Sequence, residues 1–223
     1  GISNGLHQLT TDTLWFIDPD AGIEGASENA VYNSLADDLW QYNEDFTEMT
    51  VKLKQGIYWS DDVEFTADDV VFTVQKQAST PGTPYNGAFS VQVAEVTAPD
   101  KYTVHFNLNK PNSRFHTLFA VRWTAAWIMP KHVYEGVEDI LSYDANPPVS
   151  IGPYTLHSFD PNGTWYIWQR REDWQRTAMG MIGEPKPKFI IYRNNISPDA
   201  RLIEMRNGNL DMVHDLSPEA TFS

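Results

Sequence analysis

The chain has 223 residues, 41% of them hydrophobic, which is enough to bury a core in one or two domains. Its formal net charge of −14 argues against nucleic acid and anionic membrane surfaces as partners, because both are bound by clustered Lys and Arg. The absence of cysteine excludes disulfides, thiolate metal ligands and cysteine nucleophiles.

The acidic excess lies in the first part of the chain. Residues 1–100 hold 17 acidic and 3 basic side chains, whereas residues 101–223 hold 13 of each. This distribution predicts a solvated acidic outer face. No stretch approaches the ~20 apolar residues of a membrane span, and the sequence from Gly1 shows no charged and apolar regions of an export signal.

The strongest local signals lie in residues 50–72. Residues 50–54 alternate as a strand, Gly56 breaks that strand, and residues 59–62 (W-S-D-D) predict a turn. Thr66 is the predicted N-cap of a helix whose first turn carries two aspartates, where the helix dipole favours negative charge. Nothing in this stretch is a catalytic pattern.

Strand and helix signals alternate through the rest of the chain. Further strands are predicted at residues 102–108, 153–159, 164–170, 189–192 and 210–216, and a helix is predicted from Ser197 to Gly208. The sequence D-P-N-G at 160–163 predicts a hairpin turn, because Asn and Gly tolerate positive φ. The interleaved order is typical of an α/β protein.

Residues 58–72 (Y-W-S-D-D-V-E-F-T-A-D-D-V-V-F) resemble the W-S-D-G turn and F-T-A-D-D-V helix of the family 5 extracellular solute-binding proteins, the ligand-capturing subunits of bacterial ABC importers. Five further blocks occur in the order that the family has. They are 35–40 (L-A-D-D-L-W), 129–133 (M-P-K-H-V), 150–154 (S-I-G-P-Y), 170–174 (R-R-E-D-W) and 208–211 (G-N-L-D). Asp62 stands where the family has Gly, and Ile151 replaces Gly or Thr, so both changes concern loop geometry.

The resemblance implies a type II periplasmic-binding-protein-like fold, an α/β fold of two lobes that close on a ligand. It covers nearly all of the 223 residues and stops where the second lobe begins, so we expect the first lobe only, with the second lobe absent. This lobe is expected to combine a split domain I, residues 1–12 and 150–223, with an inserted domain II, residues 13–149. Domain III and the C-terminal part of domain I are expected to be missing.

The function implied by the resemblance is capture of an oligosaccharide or oligopeptide for import, by closure rather than by chemistry. The expected partners are that small-molecule ligand and the permease subunits of an ABC transporter. The expected location is extracytoplasmic, in the periplasm or as a cell-surface lipoprotein. No cofactor, no metal, no nucleic acid partner and no enzymatic activity are expected.

The family also implies positions for ligand contacts. Tyr85 of the T-P-Y sequence takes the place of a tyrosine that faces the cleft in oligopeptide binders. Aligned from the G-N-L-D block, His214 and Asp215 fall on cleft-lining positions, and Ser3 and Asn4 lie near a first-lobe loop that touches ligand. Each position also has a purely structural interpretation. Tyr85 could be a packed loop anchor, His214 a hydrogen-bonded histidine of an edge strand, and Asp215 the start of a turn. Ser3 and Asn4 lie near a chain end that is expected to fray.

The eight tryptophans favour a sugar ligand, because flat rings stack on the apolar faces of pyranoses. Five of them are predicted to be core residues, namely Trp40, Trp59, Trp165, Trp168 and Trp174. Trp123 and Trp127 remain as candidate cleft rings. Residues 183–188 (G-E-P-K-P-K) also resemble oligosaccharide-binding members of the family.

Two other classes of function stay open from the residues alone. A glycoside-active enzyme needs a pair of carboxylates, but no pair stands out in the sequence, and neither an H-E-x-x-H motif nor a Gly-rich phosphate loop is present. An autonomous carbohydrate-binding module is the second alternative. It differs from an importer subunit because it needs no second lobe.

Overall fold

The computed structural model describes residues 7–17, 30–120, 125–194 and 197–213. The chain divides into two compact units. The first unit is Gly1–Thr155 with Arg170–Lys188, and the second is Leu156–Gln169 with Phe189–Ser223. No helix within these described ranges is long and apolar enough to cross a membrane.

The first unit is a mixed α/β structure, as predicted. Its strands are β1 (Trp15–Ile17), β2 (Val31–Asn33), β3 (Gln41–Tyr42), β4 (Glu48–Lys52), β5 (Val93–Asp100) and β6 (Thr103–Leu108). Its helices are α1 (His7–Thr10), α2 (Ala67–Ser79), α3 (Asn86–Gln92) and α4 (Lys131–Tyr134), with short 3-10 helices at Phe115–Phe119 and Trp174–Arg176. β1 pairs with β2, and the larger sheet has the order β3-β4-β6-β5.

The second unit holds helix α5 (Pro198–Arg206) and most of the sheet β7-β8-β9, which is formed by β7 (Tyr154–Phe159), β8 (Trp165–Arg170) and β9 (Phe189–Arg193). The predicted hairpin turn is confirmed, since Gly163 has a φ of 72° and the Asp160 amide donates to the Trp165 carbonyl at 3.0 Å. Ser197 caps α5 by accepting a hydrogen bond from the Ala200 amide. The strand predicted at 210–216 is wrong in its described part, because residues 210–213 are irregular.

The core of the first unit lies between helix α2 and the four-stranded sheet. Met49 pairs with Phe106 across β4 and β6, Val51 pairs with Val104, and all four side chains are fully buried. α2 begins after Thr66, whose amide donates to the Asp69 carboxylate at 2.9 Å, as expected for a capped helix start. The helix thereby presents one apolar face to the sheet.

Arg171 joins three of the sequence blocks into one structure. Its guanidinium is buried and pairs with Asp173 through two hydrogen bonds, of 2.9 and 2.7 Å. It also donates to four backbone carbonyls, those of Tyr58, Trp59, Ser150 and Gly152. A planar cation with five N–H donors suits this task, because these carbonyls come from two separate loops and need partners in the interior.

The segments around residues 10 and 151 lie side by side in the first unit. The amides of Ile151 and Gly152 both donate to the Thr10 carbonyl, at 2.9 and 3.2 Å. A Cβ built on Gly152 would lie 2.3 Å from the Leu9 carbonyl oxygen, so only glycine fits at this crossing. Ile151, the departure from the family pattern, is fully buried and adds to the core.

Asp62 adopts the left-handed conformation expected of the glycine that it replaces, with a φ of 66°. Its carboxylate lies 2.6 Å from Arg176, whose guanidinium also stacks on the Tyr58 ring at 3.6 Å. The turn is closed by the Trp59 amide, which donates to the Val63 carbonyl. Aspartate therefore fits the turn at the cost of backbone strain.

We expect Arg171→Ala to lower the free energy of unfolding by about 3 kcal/mol or more, because it leaves the Asp173 carboxylate and four backbone carbonyls without their hydrogen-bond donor. The control is Lys110→Ala, which removes an exposed cation. Urea unfolding followed by tryptophan fluorescence measures both variants. Equal stability of the two variants would contradict the role given to Arg171.

Replacement of Asp62 separates backbone strain from the ion pair. Asp62→Gly and Asp62→Ala both remove the contact with Arg176, but only Gly relieves the left-handed backbone. Asp62→Gly should therefore be more stable than Asp62→Ala by about 1 kcal/mol. The same urea measurement tests this order, and an alanine variant as stable as the glycine variant would show that the turn is unstrained.

Candidate functional site

Two of the seven predicted ligand contacts, Tyr85 and Trp127, lie in the described part of the chain. The other five lie outside the described residues and are Ser3, Asn4, Trp123, His214 and Asp215. The structure therefore describes only these two candidate contacts, and both belong to the first unit.

The Tyr85 backbone is fixed by the end of helix α2. Its amide donates to the side-chain carbonyl of Gln77 at 3.2 Å. The hydroxyl of Thr83 donates to the Gln77 and Thr80 carbonyls, and the Asn86 amide group donates to the Gln77 carbonyl at 3.0 Å. The turn that carries Tyr85 is therefore held by side chains as well as by backbone.

The Tyr85 ring rests on a column of phenylalanines. Its centroid lies 5.6 Å from that of Phe89, which stacks on Phe119 at 5.6 Å. The side chain is half-buried, and no described residue forms a hydrogen bond with its hydroxyl. Burial raises the pKa of Tyr85 above its ordinary value, so the phenol stays neutral and can donate a hydrogen bond.

Gln77, which the sequence analysis did not single out, holds the backbone of Tyr85. It is buried on the face of α2 that also carries Val70 and Val74, where an apolar residue is expected. A polar side chain at a core position of an amphipathic helix was the available signal. Its buried amide finds its partner in the Tyr85 turn.

Trp127 lies in the segment that returns past the same aromatic core. It is half-buried between fully or almost fully buried Ala126 and Ile128. The Ala126 amide donates to the Leu118 carbonyl at 2.7 Å, next to Phe119. The neighbours of Trp127 and the Tyr85 side chain therefore adjoin the same hydrophobic core, which contains Phe89 and Phe119.

The tryptophans assigned to the core divide into three groups. Trp59 and Trp168 are buried, as predicted, whereas Trp40 and Trp174 are half-buried. The prediction for Trp165 is wrong, because 36% of this residue is exposed. Trp165 and Trp168 are three residues apart in β8, and an odd spacing in a strand places two side chains on opposite faces.

A histidine that the sequence did not single out lies within an aromatic cluster. The His116 ring stacks on Trp40 with centroids 3.5 Å apart, and its amide donates to the Tyr42 oxygen at 2.9 Å. The Tyr42 hydroxyl is then free to donate to His116 Nδ1, 3.2 Å away. Burial, and to a smaller degree Arg114, lowers the pKa of His116 to about 4, so the ring is neutral near pH 7.

The buried carboxylates of this unit have structural partners. Burial raises the pKa of Asp12 to about 6, although the carboxylate accepts hydrogen bonds from the Ser34 hydroxyl and the Thr13 amide. Burial also raises the pKa of Asp69, whose carboxylate accepts hydrogen bonds from the Thr66 and Lys131 amides. Across the described ranges, no three His, Asp or Glu side chains are grouped to hold a metal ion.

The pKa of His116 predicts a pH dependence of stability. The unfolded chain takes up a proton near pH 6.5 and the folded chain only near 4, so stability is lost as pH falls between these values. Urea unfolding across this range should show that loss in the native chain relative to His116→Phe, which keeps the stacked ring. Parallel pH profiles of the two proteins would contradict the buried neutral imidazole.

The comparisons with known proteins agree on one family. The sequence pattern of the bacterial extracellular solute-binding proteins, family 5 (middle part), matches residues 30–223. One relative, the probable peptide-binding protein YejA of Agrobacterium fabrum, is 24% identical over 196 residues, which cover 85% of this chain and 31% of that protein.

Two solved structures share the fold at lower identity. The periplasmic oligopeptide-binding protein of a Thermotoga maritima ABC transporter, bound to mannohexaose, has a TM-score of 0.78 and 23% identity, over 92% of this chain and 35% of that one. AppA of Bacillus subtilis, in complex with a nonapeptide, has a TM-score of 0.73 and 21% identity, over 92% and 38%.

This chain spans about a third of the length of each of these three proteins. It therefore corresponds to one part of the periplasmic-binding-protein fold. Because the family pattern extends over residues 30–223, the chain belongs to the bacterial extracellular solute-binding proteins of family 5.

Proposed function

We propose that the protein is the solute-capturing subunit of an ABC importer, which binds an oligopeptide or an oligosaccharide between two lobes. Membership of the solute-binding family carries this proposal. The relatives are binding proteins rather than enzymes, which argues against a glycoside-active enzyme. No described feature favours an autonomous carbohydrate-binding module.

The domain assignment that we propose for this chain is a split domain I, residues 1–12 and 150–223, with domain II inserted at residues 13–149. The hydrogen bonds from Ile151 and Gly152 to Thr10 support it, because an inserted domain must leave and rejoin its host at neighbouring points. The second lobe would come from the part of the fold that these residues do not match.

The binding wall that we propose combines the Tyr85 hydroxyl with the ring of Trp127. A fixed aromatic surface supplies affinity without ordering cost, and a single phenol hydroxyl sets orientation. The five contacts outside the described residues, Ser3, Asn4, Trp123, His214 and Asp215, remain predictions for the same cleft. Ligand binding would shift the lobes toward a closed state through the better contacts of that state.

The rings of Tyr85 and Trp127 favour an oligomer with flat or apolar faces as the ligand. Tyrosine and tryptophan rings stack on pyranose faces and also pack on peptide side chains. Both ligand classes occur among the similar proteins, since one structure holds mannohexaose and another a nonapeptide. We propose permease subunits of an ABC transporter as partners and an extracytoplasmic location, in keeping with the family description.

Calorimetric titration of the complete gene product with short peptides and with cello-, xylo- and manno-oligosaccharides tests the proposal. We expect one class to bind with a micromolar or lower Kd and without turnover. Tyr85→Ala should weaken that binding by roughly 10-fold or more, because a half-buried ring and its hydroxyl are lost. Tyr32→Ala, which removes an exposed tyrosine from β2, serves as the matched control.

Three results would contradict the proposal. Hydrolysed products in the titration mixture would identify an enzyme. Equal affinity of the 223-residue chain and the complete gene product would identify an autonomous module, because one lobe offers only part of the contacts. If Tyr85→Ala and Tyr32→Ala weaken ligand binding by the same factor, Tyr85 is not a ligand contact.

A further inference from the structure

Helix α2 carries three buried polar side chains in a line. Asp69, Thr73 and Gln77 are spaced four residues apart, and all three are buried. Residues at i, i+4 and i+8 share one side of a helix, so we call these three the α2 polar stripe. Val70 and Val74 are buried next to it. The core-facing side of a helix is normally apolar, so each polar side chain of the stripe needs a hydrogen-bond partner.

Thr73 and Asp69 hold the segment that carries Trp127. The amide of Met129 donates to the Thr73 hydroxyl at 2.8 Å, and the amide of Lys131 donates to the Asp69 carboxylate at 2.9 Å. The Thr73 hydroxyl itself donates to the Asp69 carbonyl at 2.7 Å, which leaves its lone pairs for the incoming amide. The segment is irregular as far as α4, and the first amide of a helix has no partner within that helix. Both amides therefore depend on the stripe.

Gln77 holds the turn of Tyr85 one helical turn further along α2. Its side-chain carbonyl accepts a hydrogen bond from the Tyr85 amide at 3.2 Å. Four residues of an α-helix rise about 6 Å, so the stripe positions of Thr73 and Gln77 lie about that far apart along the helix axis. The segments of Trp127 and Tyr85 are distant in sequence. The stripe attaches both of them to one helix at a fixed spacing.

We propose that Thr73 and Gln77 are positioning residues, which set the spacing between the proposed ligand contacts Trp127 and Tyr85. This inference rests on the proposed function, because it takes the two rings as ligand contacts. A purely structural role would require only that the two amides have acceptors. A positioning role requires in addition that ligand affinity depends on each acceptor through the ring that its segment carries.

Double-mutant cycles in the complete gene product test this dependence. Thr73→Val and Gln77→Met remove the acceptors and keep side chains of similar size. Val70→Ala is the matched control, because it weakens the packing of α2 without removing a hydrogen bond of the stripe. Each variant is combined with Trp127→Ala and with Tyr85→Ala. Calorimetric titration with short peptides and with cello-, xylo- and manno-oligosaccharides measures ligand affinity, and urea unfolding shows that each variant folds.

We expect Thr73→Val and Gln77→Met each to weaken ligand binding roughly 5-fold, the effect of one lost hydrogen bond, and Val70→Ala to leave the affinity unchanged. The loss caused by Thr73→Val should disappear in the Trp127→Ala background and persist in the Tyr85→Ala background. The loss caused by Gln77→Met should show the opposite pattern. Thr73→Ser, which keeps the hydroxyl, should restore the affinity.

Amide hydrogen exchange of the ligand-free protein tests the same contacts without any ligand. Thr73→Val should speed exchange of the Met129 amide roughly 10-fold, and Gln77→Met should do the same for the Tyr85 amide, because each amide loses its acceptor. Unchanged exchange at these amides would show that the stripe does not hold the two segments, and it would overturn the inference.

The ligand measurements separate this inference from the proposed function. Faster exchange with unchanged ligand affinity would overturn the inference, since the stripe would then be purely structural, and would leave the proposed function standing. Equal losses of affinity in both backgrounds would show destabilisation without positioning. If no tested compound binds, or if Trp127→Ala and Tyr85→Ala bind ligand as the native protein does, the proposed function fails and the inference fails with it.

Discussion

The buried guanidinium of Arg171 is the constraint on which the first unit depends. It pairs with Asp173 and gathers carbonyls from residues 58–59 and from residues 150–152. A buried charge of this kind is tolerated only when its donors are satisfied, and here every donating group of the side chain has a partner. Three blocks that are far apart in sequence are thereby held in one arrangement.

Helix α2 connects these blocks to the candidate site. The turn held by Arg171 runs directly into the capped start of α2, and the far end of α2 carries Gln77, which binds the Tyr85 amide. The phenylalanine column fixes the ring of Tyr85 from the other side. The turn that carries Tyr85 is therefore held on rigid elements, which is the preorganisation that the proposed ligand capture requires.

The sequence predicts those features whose causes are local. The helix start at Thr66 and the D-P-N-G hairpin follow from residues within a few positions of each other. The Arg171 contacts could not be predicted in this way, because its carbonyl partners lie up to 113 residues away. His116 gave no local signal either, since its stacking partner Trp40 and its hydrogen-bond partner Tyr42 belong to another part of the chain. Trp165 is exposed because the alternation of β8 places it on the face opposite the buried Trp168.

A structure of the complete gene product with bound ligand tests the central claim most directly. The account predicts two lobes closed on an oligomer, with the Tyr85 hydroxyl within hydrogen-bonding distance of the ligand and the phenylalanine column unchanged beneath it. A ligand bound away from Tyr85, or a Tyr85 hydroxyl bonded to the protein in both the free and bound states, would contradict the account.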